Sequence, residues 1–487
     1  MKRSLPARLG TSLLALLLLA APLPATWSIV VVNTATNEVA VGTATCLTNF
    51  DIQLGVPVIV PGFGAGASQS LLDTSAINRR TIRRGLLSGK SPDEILLELQ
   101  MINGFQARQF GVVNLSDTPI TFTGNNAGAA KGGVVGVVGD LRYAIQGNVL
   151  TGDAVWLEAE KALVNTPGDL SQKLMAAMEA ARAMGGDGRC SCSPSAPTSC
   201  GAPPVNGFTK SAHCAFVSVA RIGDELGKCN SSVGCADGDF FLELNFVGAA
   251  SDPDPVLVVA DLYDAWRLGQ VGVPDQVESS VVPSARALPA DGVSKLEVHV
   301  ALADLEGTPL VGGGDSIRWE QLSSGPASSF PLAVYDHGDG TYTLEIQAST
   351  VPGEDVFRLS ANGVVLQPDV EVRVDALPLI HSGDDGVSAA AGADLPLVLN
   401  LGAERAGQPF HVVCAPSGAA ALPFAPAAGP SFLVGAGFLD AEGRAELDFV
   451  AAPGLLEPFV GGELALRAIV HGEPQAVVGP RLVAVLP

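Results

Sequence analysis

The sequence predicts a layered α+β domain followed by two β-sandwiches. Up to about Arg267, pairs of strand patterns alternate with pairs of amphipathic helix patterns, which is typical of sheets covered by helices. From about Pro274 onward the helix patterns stop and short β patterns recur about every 8 to 12 residues, as in a β-sandwich. We therefore predict an α+β domain over residues 26–270, a β-sandwich over 274–375 and a second β-sandwich over 376–487.

Residues 1–25 have the features of a secretory signal peptide. The apolar run 13–21 is too short to span a bilayer as a stable helix, and it ends in small and turn-forming residues. Cleavage after Ala25 would make Thr26 the first residue of the mature chain. We predict export to the periplasm, the cell surface or the medium, and the alternative is an uncleaved N-terminal anchor. The positive start of this segment carries Lys2, Arg3 and Arg8.

The chain is strongly acidic, with a formal net charge of −22, and loss of the three leader cations changes this to −25. Such a chain is repelled by phosphate backbones and by anionic membrane surfaces. No later stretch approaches the roughly 18 consecutive apolar residues of a membrane-spanning helix. We therefore predict no nucleic-acid partner and no membrane span after cleavage.

The first predicted domain opens with a hairpin, because apolar runs over 27–32 and 38–45 flank a turn. One helix begins after Ser91, with proline at the first position and Glu94 completing a capping box. Another covers 170–184 and stops at a pair of glycines. Further strand patterns cover 56–60, 110–115, 120–123, 134–138, 141–146 and 215–220, and further helix patterns cover 153–164 and 256–267.

Six of the eight cysteines fall between residues 190 and 235, and Cys46 and Cys414 lie outside this cluster. In an exported chain the cluster predicts two or three disulfides that staple loops within 190–235. Zinc is the alternative, with Cys190, Cys192 and the His213-Cys214 pair among its possible ligands. The spacings fit no common zinc module, since those are dominated by C-x2-C pairs. The sequence therefore predicts neither a metal site nor a cofactor.

The two C-terminal segments carry no constellation of His, Asp and Ser suited to catalysis. The segment 336–342 contains acidic residues but lacks the distal glutamate of a calcium loop, and its glycines are typical of a hairpin turn. It resembles the immunoglobulin-like repeats of bacterial surface proteins and filamins, which share a similar Gly-Asp-Gly-Thr-Tyr turn. The segment 440–444 predicts a further hairpin between strands over 432–439 and 445–450. The two C-terminal β-sandwiches are both predicted to be spacers or contact modules.

Chemistry, if present, is predicted at Thr26. A free α-amine has an ordinary pKa near ~8 and can act as a general base at neutral pH. A threonine hydroxyl alone is a poor nucleophile, so one N-terminal residue would supply both the nucleophile and its base. The common hydrolase, metalloprotease, phosphate-loop and dinucleotide motifs are missing from the sequence.

The first domain resembles the domain of unknown function 1028 family over most of residues 26–267. The resemblance begins with Thr26-Trp27-Ser28-Ile29-Val30-Val31 and the run 38–44, and its most specific piece is Tyr143-Ala144-Ile145-Gln146-Gly147-Asn148. Further matches lie at 64–69, 108–113, 123–124, 185–187 and 211–212. This chain departs from the family where the cysteine-rich stretch interrupts the join between Arg189 and Lys210, and where Phe122 replaces a polar residue.

The resemblance implies the N-terminal-nucleophile hydrolase fold, in which two β-sheets lie between helices in four layers. Our leading hypothesis is an amide hydrolase acting on a small-molecule or peptide amide, with Thr26 as nucleophile and with backbone N–H groups and Asn148 holding the oxyanion. Gln69, Thr123, Gln146 and Asp187 are the candidate substrate-binding residues. The rival hypothesis is a non-catalytic exported binding or cell-surface protein, whose β-sandwiches contact a cell surface or other proteins.

Overall fold

The computed structural model describes residues 26–290, 292–322, 329–375, 379–382, 386–388, 392–401, 405–416, 432–441, 443–461, 463–471 and 476–486. The predicted signal peptide, residues 1–25, lies outside the described residues. The chain divides into two compact units, Met1–Trp266 and Arg267–Pro487. In the part of the chain that is described, no helix has both the length and the apolar character needed to cross a membrane.

The first unit contains twelve strands and six helices among its described residues. Its strands are β1 (Thr26–Asn33), β2 (Glu38–Thr45), β3 (Pro57–Val60), β4 (Gly64–Ser70), β5 (Arg108–Asn114), β6 (Ile120–Thr123), β7 (Gly132–Val138), β8 (Leu141–Asn148), β9 (Cys214–Ala220), β10 (Glu225–Leu226), β11 (Gly238–Asp239) and β12 (Leu242–Val247). Its helices are α1 (Ile77–Leu87), α2 (Pro92–Gln100), α3 (Ala154–Asn165), α4 (Leu170–Ala183), α5 (Gly188–Ser191) and α6 (Pro255–Leu268).

Local sequence signals account for several of these boundaries. The capping box at the start of α2 is confirmed, with the Ser91 hydroxyl accepting from the Glu94 N–H and the Glu94 carboxylate accepting from the Ser91 N–H. The predicted end of α4 is also confirmed. Gly185 and Gly186 follow this helix with φ angles of 100° and 54°, a left-handed backbone that favours glycine.

Two antiparallel sheets form the framework of this unit. One has the order β12-β9-β2-β1-β8-β7 and the other has the order β3-β4-β5-β6. The predicted hairpin is confirmed, because β1 pairs with β2. On its other side β1 pairs with β8, so the first described strand lies in the interior of the larger sheet.

Three apolar clusters pack these sheets. One joins a face of the larger sheet to α3, α4 and α6, and it includes Ile29, Leu174 and Val259. A second joins residues of β1 and β2 to residues of β3, β4 and β5. The third joins β3 and β5 to α1 and α2, including Ile82 and Leu99. The unit is therefore a mostly β structure in which helices pack on apolar sheet faces.

The cysteine prediction needs a correction. The disulfides join Cys46 to Cys190, Cys192 to Cys200 and Cys229 to Cys235. They are therefore not confined to residues 190–235, since Cys46 directly follows β2 and meets α5. Cys214 remains a free, buried thiol. It begins β9, and its buried thiol donates to the carbonyl oxygens of Leu47 at 3.1 Å and Gly248 at 3.7 Å.

The second unit contains two pairs of sheets. Its first eight strands are β13 (Ser280–Pro283), β14 (Ala287–Pro289), β15 (Lys295–Ala301), β16 (Ile317–Gln321), β17 (Phe330–Asp336), β18 (Thr341–Gln347), β19 (Gly353–Ala361) and β20 (Val364–Asp375). They form the sheets β13-β15-β18-β17 and β14-β20-β19-β16. A shared apolar core that includes Val298, Leu344 and Val372 makes this an immunoglobulin-like β-sandwich.

The remaining eight strands of the second unit also form two sheets, with a different strand order. Its strands are β21 (Leu379–Ser382), β22 (Gly386–Ser388), β23 (Ala393–Asn400), β24 (Pro409–Pro416), β25 (Phe432–Phe438), β26 (Arg444–Ala451), β27 (Glu463–Val470) and β28 (Ala476–Leu486). They form the sheets β21-β23-β26 and β22-β28-β27-β24-β25. The predicted hairpin around residues 440–444 is wrong, because β25 pairs with β24 and β26 pairs with β23. β25 and β26 therefore belong to different sheets.

Candidate functional site

Thr26 lies where the ends of three strands meet in the larger sheet. The register places it opposite Thr45, the last residue of β2, and opposite Asn148, the last residue of β8. Residues opposite each other on paired strands lie on the same face of a sheet, and so does every second residue along one strand. The side chains on the face of Thr26 are therefore those of Ser28, Gln146 and Asn148. The Thr26 side chain is enclosed, since the residue is only 1% exposed.

Three atoms of Thr26 have polar partners. Its backbone N–H donates to Asn148 Oδ1 at 3.2 Å, and its carbonyl oxygen accepts from Gln69 Nε2 at 2.8 Å. Its hydroxyl lies 3.4 Å from the hydroxyl of Thr45. Two of the predicted site residues, Asn148 and Gln69, therefore contact the predicted nucleophile directly.

Asn148 is held so that its amide oxygen points to Thr26. Its Nδ2 group donates to Ser70 Oγ at 3.2 Å and to the carbonyl oxygen of Ala127 at 2.9 Å. A buried amide with both ends bonded has one preferred orientation, since a flip would exchange donor and acceptor. Ser70, the last residue of β4, and the loop before β7 thus fix the group that contacts the Thr26 nitrogen.

Gln69 belongs to a chain of buried amides between the two sheets. Its Oε1 lies 2.5 Å from Ser28 Oγ, and its Nε2 donates to Gln109 Oε1 at 3.0 Å. Gln109 in turn donates to the Gly147 carbonyl oxygen at 2.8 Å and to Thr123 Oγ1 at 3.0 Å. The network links β1, β4, β5, β6 and β8 at the end of the sheets where Thr26 lies.

The other predicted site residues have different partners. Thr123 is bonded to Gln109, and Gln146 Oε1 accepts from Thr121 Oγ1 at 3.5 Å. Lys131, which lies in the loop before β7 and is not one of these predicted residues, donates to the carbonyl oxygens of residues 124 and 125. Among these residues, only Thr123 joins the network of Thr26, and it does so through two intervening glutamines.

Asp187 connects the site to the cysteine-rich stretch. Its carboxylate is fully buried, pairs with Arg189 at 2.7 Å and accepts from the backbone N–H of Cys46 at 2.9 Å. Cys46 follows Thr45, whose carbonyl oxygen accepts from the His213 N–H at 2.8 Å. A buried pair with these additional bonds holds the segment after β2 in place. Asp187 is thus bonded to the residue that follows Thr45.

The atoms Cys46 Sγ, Cys190 Sγ and a His213 ring nitrogen lie within 4.8 Å of one another. Both sulfurs are joined in a disulfide, so neither offers the thiolate that zinc requires. Burial, together with the neighbouring Lys210 charge, lowers the pKa of His213 and keeps its imidazole neutral near pH 7. This arrangement fits a disulfide packed against a neutral histidine.

Four residues of the site were missed by the sequence-based prediction: Ser28, Thr45, Ser70 and Gln109. Ser28 and Thr45 had a detectable signal, because both are polar residues at inward positions of otherwise apolar strands. Ser70 and Gln109 also lie in buried strands, and Gln109 lies in the matching stretch 108–113, but their partners depend on how the strands pair and oppose each other.

Two family models match separate parts of the chain. Residues 26–197 match the family of unknown function DUF1028. Residues 26–197 form a DUF1028 domain. Residues 275–376 match the model named invasin, domain 3, and these residues form the first β-sandwich of the second unit. The family resemblance inferred from the sequence is thereby confirmed for the DUF1028 domain.

Comparisons with solved structures give weak similarities. A DUF1028 protein from Silicibacter pomeroyi is 18% identical, with 50% of this chain and 88% of that chain covered and a TM-score of 0.36. The adhesin InvE of Yersinia pseudotuberculosis is 14% identical, with 43% and 58% covered and a TM-score of 0.20. The adhesin FdeC of Escherichia coli is 14% identical, with 56% and 74% covered and a TM-score of 0.21. No curated protein sequence matches the chain.

Proposed function

We propose that this chain is an exported cell-surface protein that binds other proteins through its β-sandwiches. The match of residues 275–376 to an invasin domain supports a contact or display role for the first sandwich. Three disulfides in the first unit fit an exported protein, because disulfides persist in oxidising compartments. The DUF1028 domain then forms the other unit of the displayed chain.

The observation that carries this proposal is an exposed apolar strand. At the edge of its sheet, β17 exposes Phe330 and Tyr335 by 47% and 49%, with Leu332 and Val334 also exposed. Interfaces between proteins are enriched in aromatic residues, and a few such residues carry most of the binding energy. A single strand that exposes four large apolar side chains is unusual for a surface that contacts only water.

The same strand is protected against pairing with another strand. Pro331 lacks a backbone N–H, a bulge interrupts the register between Pro331 and Ala333, and Asp336 ends the strand. These features disfavour the addition of a further strand at this edge. The partner would therefore be bound through side chains, with an apolar surface of its own.

Replacing Phe330 and Tyr335 together by serine should weaken saturable binding of the labelled mature chain to intact producing cells by tenfold or more. The reason is that each aromatic side chain at the centre of an interface typically contributes about 1–2 kcal/mol. Phe63→Ser is the matched control, because Phe63 is 46% exposed but lies in the first unit. Unchanged binding of the double variant would contradict the proposed contact surface.

A second candidate function, amide hydrolysis, is favoured by the contacts of Thr26. If the bond between Ala25 and Thr26 is cut, the freed amine stays beside Asn148 Oδ1, which would orient it as a general base. The Thr26 hydroxyl would then form an ester with the acyl group while the amine passes its proton to the leaving nitrogen. Water would release the acid by the reverse proton transfer. In this candidate the three apolar clusters would be the three interfaces between the four layers of an N-terminal-nucleophile hydrolase.

N-terminal sequencing of the secreted protein should give Thr26 as its first residue if this second function is present. Hydrolysis of a panel of peptide and N-acyl amides should then fall below detection in Thr26→Ala and survive in Thr26→Ser. Asn148→Ala should reduce the rate by about 10²–10⁴, the usual contribution of a positioned general base, because the amine would lose the group that orients it. Thr34→Ala, at the opposite end of the sheet, is the control. A mature chain that starts elsewhere would contradict the hydrolase hypothesis and leave the binding proposal intact.

A further inference from the structure

We propose that β7 is the interface of a homodimer, in which two copies of the chain join their larger sheets edge to edge. Among the described residues β7 pairs only with β8, so its outer side is the free edge of the six-stranded sheet. Its sequence, Gly-Gly-Val-Val-Gly-Val-Val, has no charge and no proline, and its pairing with β8 has no bulge. Val135, Val137 and Val138 are exposed.

The other sheet edges of this unit are protected against pairing with further strands, and β7 is not. β3 begins with Pro57 and is covered by Cys235, whose carbonyl oxygen accepts from the N–H of Ile59. β6 has only four residues, and β12 carries Glu243. Proteins normally protect exposed edges with such short strands, prolines, charges or covers, because a bare edge pairs with other strands. A bare edge of seven residues therefore indicates a strand partner.

The sequence of β7 is complementary to itself in antiparallel pairing. With the two-fold axis at Val135, Gly132 opposes Val138 of the second copy, Gly133 opposes Val137, and Val134 opposes Gly136. Every glycine thus faces a valine, and the two Val135 side chains meet at the axis. Small-to-large pairing of this kind lets the sheets approach without clashes. An isologous contact requires this self-complementarity, whereas a foreign strand would not.

Charge also favours this location for self-association. The chain carries a net charge of −22, so two copies repel each other over most of their surface. A contact made by uncharged glycine and valine places no carboxylates against each other. The main-chain hydrogen bonds of the edge then add to the apolar contact, as in other cases of strand addition.

The mature protein should have twice the chain mass in light scattering after size-exclusion chromatography. Val135→Lys should convert it to a monomer, because two lysines would meet at the axis, and its circular dichroism and melting temperature should stay near those of the wild type. Leu157→Lys is the matched control and should remain dimeric, since Leu157 on α3 is 43% exposed and Val135 is 38% exposed. A monomeric wild-type protein, or a dimer that tolerates Val135→Lys, would overturn the proposal.

Cysteine substitution tests the register of the two strands. In Val135→Cys the two Cα atoms at the axis would be about 4.5–5.5 Å apart, within the range of a disulfide. Mild oxidation should therefore give a covalent dimer on non-reducing gels. In Val137→Cys the two positions would be roughly 13 Å apart along the strands, and no crosslink should form. Equal crosslinking of the two variants would overturn the proposed pairing even if the protein is dimeric.

Discussion

Replacing Glu38 by glutamine should lower the free energy of unfolding of the first unit by about 3–5 kcal/mol, the usual cost of breaking a buried ion pair by removing one partner. Glu38 begins β2 and pairs with Arg221 at 2.7 Å, and both side chains are almost fully buried. The Arg221 guanidinium also lies 3.4 Å from the centre of the Phe241 ring. Without Glu38, this buried cation would lose the carboxylate that it contacts at 2.7 Å.

Denaturant-dependent hydrogen exchange of the β1 and β2 amides measures this effect, because it reports on the first unit alone. Glu98→Gln is the control. Glu98 pairs with the exposed Arg84 at 2.8 Å, and exposed pairs contribute about 0–1 kcal/mol. The double substitution Glu38→Leu with Arg221→Met should cost less than Glu38→Gln alone, since it leaves no unpaired charge. Equal effects of Glu38→Gln and Glu98→Gln would show that the buried pair adds nothing.

Removing the disulfide between Cys46 and Cys190 should destabilise the first unit more than removing the one between Cys192 and Cys200. The bonded residues are 144 positions apart in the first case and 8 in the second. Loop-closure entropy in the unfolded chain then predicts losses of about 5 and about 2.5 kcal/mol, respectively. The measurement is urea unfolding of the paired alanine variants, followed by the fluorescence of Trp27 and Trp156, which lie in the core of this unit.

A structural consequence should accompany the larger loss. The disulfide holds α5 against the end of β2, where Asp187 accepts from the Cys46 N–H. Without it, the amides near Cys46 and Asp187 should exchange faster with solvent, while those of α2 should not change. A larger loss from the variant lacking Cys192 and Cys200 would contradict the entropic explanation.

Local features of the fold were predictable because their causes lie within a few residues. Ser91, Pro92 and Glu94 specify the start of α2 through bonds that span one helical turn. Gly185 and Gly186 end α4 because their backbone angles are available mainly to glycine. The opening hairpin was predictable for the same reason, since its two strands flank a short turn.

Long-range pairings were not predictable in this way. The partner of Cys46 is 144 residues away, and nothing near either cysteine indicates the other. The predicted hairpin around 440–444 was wrong because neighbouring strands in a sandwich often belong to opposite sheets. At the candidate site, the family resemblance pointed to Asn148 and Gln69. Gln109 was missed as a site residue, since its contact with Gln69 depends on the register in which β4 and β5 pair.

The interior position of β1 has a consequence for how the exported chain acquires its structure. A chain that crosses a membrane with its amino terminus first presents β1 and β2 long before β8 and β9, their outer neighbours in the sheet. Both strands of the early hairpin are buried in the folded unit, and they must wait for residues 141–148 and 214–220 before their outer edges are covered. Contacts over such separations form slowly. A chain that emerges amino terminus first therefore passes through a stage in which it is prone to aggregate, and this stage ends only when nearly half of its length has emerged.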